Sequence, residues 1–281
     1  MKVKIAVCNR RTDKKYKNQE MDWQYISDRN RNPVRTSETA EEYPKLPKEQ
    51  RANLKDIGGL VGGWLKGGIR KNGNVLFRTV GLLDADHCPA GFDFCGAVRN
   101  VFGDITYFIY STHSHTPDNP RYRLVILLSR EVSEDEYPAL MRMVAKQIGM
   151  DYFDDSTYQS NRMMYWASCP SNGEFVFDDN SGQALDVEKY LDMYEDWRDI
   201  SQWPTSSRES EVIKKETTAQ KNPLEKEGTV GVFCRAYPTI QEVINEFLSD
   251  VYAPTATDSR YDYLEADSIA GVVIYDNVFA Y

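Results

Sequence analysis

From residue 75 onward the apolar positions alternate between two rhythms. NVLFRTVGLLDAD and TYFIYSTHSH carry strand-like runs, and FDFCGAVRNVFG between them is spaced as a helix. The breaker TPDNP then precedes RYRLVILLS, a further apolar strand. SEDEYPALMRMVAKQIG opens with Ser133 and, three residues on, Glu136, the spacing of a capping box ahead of an amphipathic helix. NRMMYWAS closes the series as a short strand. The order β-α-β-β-α-β over about residues 75–168 predicts an α+β fold with an RRM-like, or ferredoxin-like, core. Its strands are expected in the order 4-1-3-2, with one face of the sheet open.

Ahead of this core lies an N-terminal α/β extension. Behind it, LDVEKYLDMYEDW reads as an acidic helix, and residues 201–228, poor in apolar positions and rich in Ser, Thr, Lys and Glu, read as a linker. The tail holds a helix, TIQEVINEFLSDVY, and an apolar strand, AGVVIYD, which predicts a small, mostly helical C-terminal unit. The expected organisation is therefore a domain over 1–200 with its core at about 55–180, a linker over 201–228 and a C-terminal segment over 229–281.

Composition narrows the function class. With 41% hydrophobic and 27% charged residues in 281, the chain reads as a folded soluble protein. No apolar run approaches the roughly 18 residues a spanning helix needs. The start, MKVKIAVCNRRTDKK, has only a short apolar patch, too short for a signal peptide, so a cytoplasmic location is expected. The formal charge of −9 is unevenly spread: residues 1–82 hold 18 Lys and Arg against 9 Asp and Glu, and the remainder 16 against 34. The basic segment, with Arg10, Arg11, Lys14, Lys15 and Lys17 and then Arg70, Lys71 and Arg78, can supply phosphate contacts to DNA, and the acidic remainder can supply metal ligands. Five cysteines, an odd number without a C-x-x-C pair, indicate neither a disulfide framework nor a zinc ribbon.

The chemistry-bearing residues cluster. Asp84 and Asp86 form D-A-D at a strand end, where alternation sends both carboxylates to one side of the sheet. Two like charges so close call for a cation, and Mg²⁺ or Mn²⁺ takes hard oxygen ligands of this kind. All three histidines, His87, His113 and His115, fall in one 29-residue window, and Arg121 and Arg123 share the hairpin of His113 and His115. Such a group suits a polyanionic phosphate. Asp151, Asp154 and Asp155 precede the last strand, which Arg162 begins, and a fourth strand antiparallel to the first would bring Asp154 to Asp84 and Asp86. The histidine hairpin is expected toward the opposite end of the sheet, with a bound triphosphate bridging the gap across the open face. GGLVGGWLKGG matches neither a Walker A loop nor G-x-G-x-x-G; it reads as a connection between strands, or as flexible backbone cradling phosphate beside Arg70 and Lys71.

LLDADH, YSTHSHTPDNPRYRLVILLSR and YFDDSTYQSNRMMYW together resemble the three motifs of the archaeo-eukaryotic primase superfamily, specifically the primase-polymerase domain of phage and mobile-element replication proteins. The resemblance covers roughly residues 55–180. It implies Asp84, Asp86 and Asp154 as catalytic ligands of two Mg²⁺ or Mn²⁺ ions, with Asp155 as a substitute for Asp154. It also implies His113, His115, Arg121, Arg123 and Arg162 around an incoming NTP or dNTP, and single-stranded DNA as template. The tail from GVFCRAYP onward is similar to the segment that joins such primases to a helicase in virulence-associated E proteins, so a helicase partner is implied and the chain reads as part of a primase-helicase. Two other readings stand beside this one. His113-Ser114-His115 imitates the metal motif of strand-nicking replication endonucleases, and the acidic cluster also suits a non-catalytic nucleic-acid-binding module.

Overall fold

The alternating run at residues 75–85 becomes an eleven-residue strand whose two faces serve different layers. The structure is a computed structural model describing residues 1–209, 228–256, 259–265, 271–275 and 278–280. It comprises two units, 1–209 and 210–281. In chain order the first runs β1 (Lys2–Cys8), β2 (Lys17–Asp22), α1 (Trp23–Arg31), β3 (Val34–Arg35), α2 (Lys48–Leu54), β4 (Gly59–Val61), β5 (Gly63–Leu65), β6 (Val75–Ala85), α3 (Phe94–Phe102) and β7 (Tyr107–Ser111). It continues with β8 (Tyr122–Val132), α4 (Glu136–Ile148), β9 (Met164–Tyr165), β10 (Ser168–Cys169), β11 (Phe177–Asn180) and α5 (Val187–Leu191).

The central sheet has the order β11-β7-β8-β6-β5, and a second sheet the order β2-β1-β4-β9. Along β6, Leu83 and Ala85 join Phe94, Phe102, Tyr137 and Leu140 of the helices in one core. Val80 and Leu82, one residue out of phase, join Val3, Ile5, Trp23 and Ile26 of the N-terminal layer in another. The face expected to be open is therefore covered: Phe108, Tyr110, Val125 and Leu127 are all buried against that layer. The signature of a fully buried sheet was already present in the near-continuous apolar run LVILL.

Only part of the 4-1-3-2 order appears. β6, β8 and β7 fill the places of strands one, three and two. The fourth place, beside β6, is taken by β5, whereas the NRMMYWAS segment gives the two-residue β9 and pairs with β4 in the other sheet. The glycine run makes this possible. A Cβ on Gly63 would overlap the Phe77 carbonyl oxygen, and one on Gly59 that of Met164, so these strands approach too closely for any side chain. Of the two readings of this run, the structure shows strands.

The capping box of α4 is present: Ser133 N–H donates to Glu136 Oε2 at 2.8 Å, and Glu136 N–H to Ser133 Oγ at 3.2 Å. The first residues of the expected linker belong to the first unit. Arg142 grips the Glu209 carboxylate at 2.7 Å through both terminal nitrogens, and Arg208 pairs with Asp155 at 3.2 Å. Residues 210–227 lie outside the described residues. The second unit holds α6 (Gly228–Ala236), α7 (Ile240–Phe247) and an antiparallel sheet of β12 (Tyr252–Pro254), β13 (Arg260–Tyr263), β14 (Val272–Tyr275) and β15 (Val278–Ala280). Among its described residues a sheet stands beside the helices, where a mostly helical unit was expected; Tyr261, Val272 and Ile274 of the sheet bury against Ile244. Among the described residues no helix is long and apolar enough to cross a membrane.

Candidate active site

Helix α3 returns the chain so that β7 runs parallel to β6, with β8 antiparallel between them. The ends of β6 and β7 and the start of β8 consequently meet at one edge of the sheet. This corrects the expectation that the histidine hairpin lies at the opposite end. Asp84 is the cross-strand partner of Arg123, and Arg123 is in turn the partner of Tyr110.

At this edge the apolar packing between the layers gives way to a cavity of about 490 Å³. Asp84, Asp86 and Asp154 line it together with Arg121, Arg123 and Arg162. Asp154 arrives through a turn instead of a strand. Its N–H donates to the Asp84 carbonyl at 2.9 Å, the Asp84 N–H donates to Thr157 Oγ1 at 2.9 Å, and the His87 N–H to the Tyr152 carbonyl at 3.1 Å. These bonds tie residues 152–157 to the end of β6.

Each carboxylate stands beside its own arginine: Asp84 with Arg123 at 3.4 Å, Asp86 with Arg121 at 3.3 Å, Asp154 with Arg162 at 3.6 Å. The three acids are 17%, 25% and 31% exposed, enough to be reached but too little for water alone to neutralise them. Burial raises the Asp84 pKa above the ordinary carboxylate value; Arg123 opposes the shift, and Asp86 and Asp154 add to it. Asp154 is held below its usual value although burial opposes this, because the Ser156 hydroxyl and N–H both donate to it and Arg162 is near. Arg123 is buried, which disfavours its charge, yet Asp84 more than restores it and its pKa is raised.

The donor set suits a hard divalent cation. Asp84 Oδ1 is buried and accepts no hydrogen bond, its neighbour Arg123 Nε being misaligned for one. Among the described residues no three His, Cys, Asp or Glu side chains form a ready-made metal cluster; Asp84, Asp86 and Asp154 line one cavity, each beside its own arginine.

Other expected residues separate. Asp155 does not line the cavity and pairs with Arg208. Arg70 lines the cavity, whereas Lys71 is exposed outside it. Arg78, expected to touch DNA, is fully buried: its guanidinium lies 4.0 Å from the centre of the Tyr137 ring and donates to Tyr137 Oη and to the Ser160 and Val80 carbonyls. A side chain so enclosed has no surface to offer a strand.

His113 lines the cavity but both ring nitrogens are engaged. Nε2–H donates to Glu38 Oε1 at 2.8 Å, which leaves Nδ1 to accept from the Ser168 hydroxyl at 2.9 Å. Burial lowers the His113 pKa despite Glu38, so the ring is neutral at pH 7. The strand-nicking reading loses its metal pair, because both ring nitrogens of His113 are engaged, by Glu38 and Ser168.

Sequence reasoning missed Glu38, Lys55 and Tyr165. Lys55 lines the cavity with its ammonium 5.4 Å from the Tyr165 ring centre, and burial and then Arg123 lower its pKa. The excess of basic residues before position 82 was the available signal for Lys55 and Arg11; Glu38 and Tyr165 carried none.

No curated protein matches this chain. Among solved structures it is similar to the archaeo-eukaryotic primase domain of the cyanophage S-2L primase-polymerase, at 14% identity over 68% of this chain and 87% of that one, with a TM-score of 0.38. Residues 1–206 match the VapE N-terminal domain family. That match takes in the central sheet, the β2-β1-β4-β9 sheet and all the residues of the cavity, and the chain belongs to the VapE N-terminal domain family.

Proposed function

We propose that this chain is a primase-polymerase, joining nucleotides on a single-stranded DNA template during phage or mobile-element replication in the host cytoplasm. The observation that carries the reading is the cavity where Asp84, Asp86 and Asp154 stand among Arg121, Arg123 and Arg162. Acid and base in alternation suit a substrate that is itself a polyanion bearing cations.

Asp84, Asp86 and Asp154 would hold Mg²⁺ or Mn²⁺, which supplies a lowered pKa for the attacking 3′-hydroxyl and charge neutralisation at the phosphates when bound. The arginines bind and orient the triphosphate, with Lys55, Arg11 and Arg70 at the cavity wall adding positive charge. His113 positions the N-terminal segment through Glu38, and its neutral ring adds no charge. The basic residues of the first segment, Arg70 and Lys71 among them, attract the template electrostatically. A replicative helicase, in the same polypeptide or separate, is the partner proposed for residues 229–281.

The test is incubation of the chain with single-stranded DNA, Mn²⁺ or Mg²⁺ and labelled NTPs or dNTPs, with and without a primer. Template-encoded, metal-dependent products are expected. Failure to incorporate any nucleotide while DNA is bound would refute the reading, and a covalent tyrosine–DNA adduct would replace it with strand nicking.

A further inference from the structure

Arg78 is fully buried, and among the described residues no carboxylate pairs with it. A cation enclosed without a counter-charge is costly, and an apolar side chain of the same volume would fill the space without that cost. The backbone around it is arranged to admit it. The N–H groups of Thr79 and Val80 both donate to the Gly62 carbonyl, at 2.8 and 3.0 Å, so β6 bulges there. Two consecutive side chains consequently share the N-terminal face: Thr79 exchanges hydrogen bonds with the Lys4 backbone at 3.1 and 2.8 Å, and Val80 packs beside Val3 and Ile5. The bulge shifts the alternation by one. Arg78, which would otherwise face the same layer as Val80 and Leu82, turns instead to α4 and Tyr137.

From Arg78 hydrogen bonds lead to both parts of the candidate active site. One guanidinium nitrogen donates to the Ser160 carbonyl, and the Ser160 hydroxyl is fixed in turn by Glu134 at 3.1 Å. Two residues on is Arg162, whose N–H donates to the Gln159 carbonyl at 3.0 Å and whose guanidinium stands beside Asp154. The other terminal nitrogen donates to Tyr137 Oη at 2.9 Å. That hydroxyl accepts from the Leu82 N–H at 3.0 Å and donates to the Leu82 carbonyl at 3.3 Å, which also accepts from Thr157 Oγ1 at 3.5 Å. Thr157 Oγ1 is the acceptor of the Asp84 N–H.

We propose that Arg78 and Tyr137 are positioning residues for the acids of the cavity. Arg78 fixes the turn that brings Arg162 to Asp154, and Tyr137 fixes the end of β6 that carries Asp84. Neither touches the cavity, and both act through backbone they hold in place. The catalytic consequence rests on the proposed function; the placement of the turn does not.

The experiment is hydrogen–deuterium exchange of the full chain, read by mass spectrometry over residues 152–162, with nucleotide incorporation measured in parallel. Arg78→Met keeps the volume and removes every donor; Tyr137→Phe keeps the ring and removes the hydroxyl. Leu140→Ala, in the same core but outside these hydrogen bonds, is the control for destabilisation alone. Exchange over 152–162 should quicken about tenfold or more in Arg78→Met and Tyr137→Phe, and kcat should fall about tenfold or more while KM for the nucleotide stays within about threefold. Arg78→Lys, which keeps a donor, should restore part of both, and Leu140→Ala should leave both near wild type in the folded chain. Wild-type exchange or wild-type kcat in folded Arg78→Met and Tyr137→Phe overturns the proposal, as does an equal change in Leu140→Ala. Quickened exchange confined to this turn in a chain whose wild type incorporates no nucleotide would refute the proposed function and leave the placement standing.

Discussion

The N–H of Asp154 donates to the carbonyl oxygen of Asp84 at 2.9 Å, so two acids seventy positions apart are joined through their backbones before any ligand is bound. Their side chains are free to answer to charge, while their positions are set by the chain itself. Placing Asp154 by a turn, and not by a sheet ladder, is what lets it differ from its neighbour Asp155.

That difference is measurable. Asp154→Asn should lower nucleotide incorporation by roughly a hundredfold or more, the scale of losing a metal-binding carboxylate, and Asp155→Asn by no more than about threefold. Equal losses in the two variants would show that the turn rearranges and that either acid serves.

Arg78 belongs to the core. Arg78→Ala should cost about 3 kcal/mol of stability through the cavity left beside Tyr137 and the carbonyls deprived of a donor. DNA affinity of the folded fraction should not change. Denaturant unfolding paired with a DNA-binding titration checks both, and weakened DNA binding at unchanged stability would contradict the burial.

Acid should loosen the attachment of the N-terminal segment. His113 is held below its usual 6.5 because it is buried, so below about pH 6.5 the unfolded chain binds a proton that the folded chain does not, and stability is lost as pH falls. Glu38, also held low although its burial opposes this, extends the loss in the same direction below its usual 4.5. The melting temperature should therefore drop more steeply between about pH 7.5 and about pH 5.5 in the wild type than in His113→Gln. Parallel slopes would contradict a buried neutral histidine.

The helices and strands from Val75 to Ile148 were legible because their apolar spacing is regular and each is long enough to show it. Asp84, Asp86 and Arg123 were legible for the same reason, being fixed by the ends of such strands. The position of His113 was misjudged because a helical crossover makes its two strands parallel, which brings their ends together. Glu38 was invisible: its contact with His113 spans 75 positions and belongs to a stretch without periodicity. The fourth strand was misassigned because three-residue strands such as Gly63–Leu65 leave no alternation to read, and only the overlap a Cβ would cause explains the glycines there.

The most direct measurement is primer synthesis by the Asp84→Ala, Asp86→Ala double variant, with single-stranded DNA binding followed in parallel. Loss of Mg²⁺- or Mn²⁺-dependent incorporation with DNA binding retained is the predicted result. Synthesis persisting near the wild-type rate in a folded double variant would contradict the assignment of this cavity as the catalytic centre.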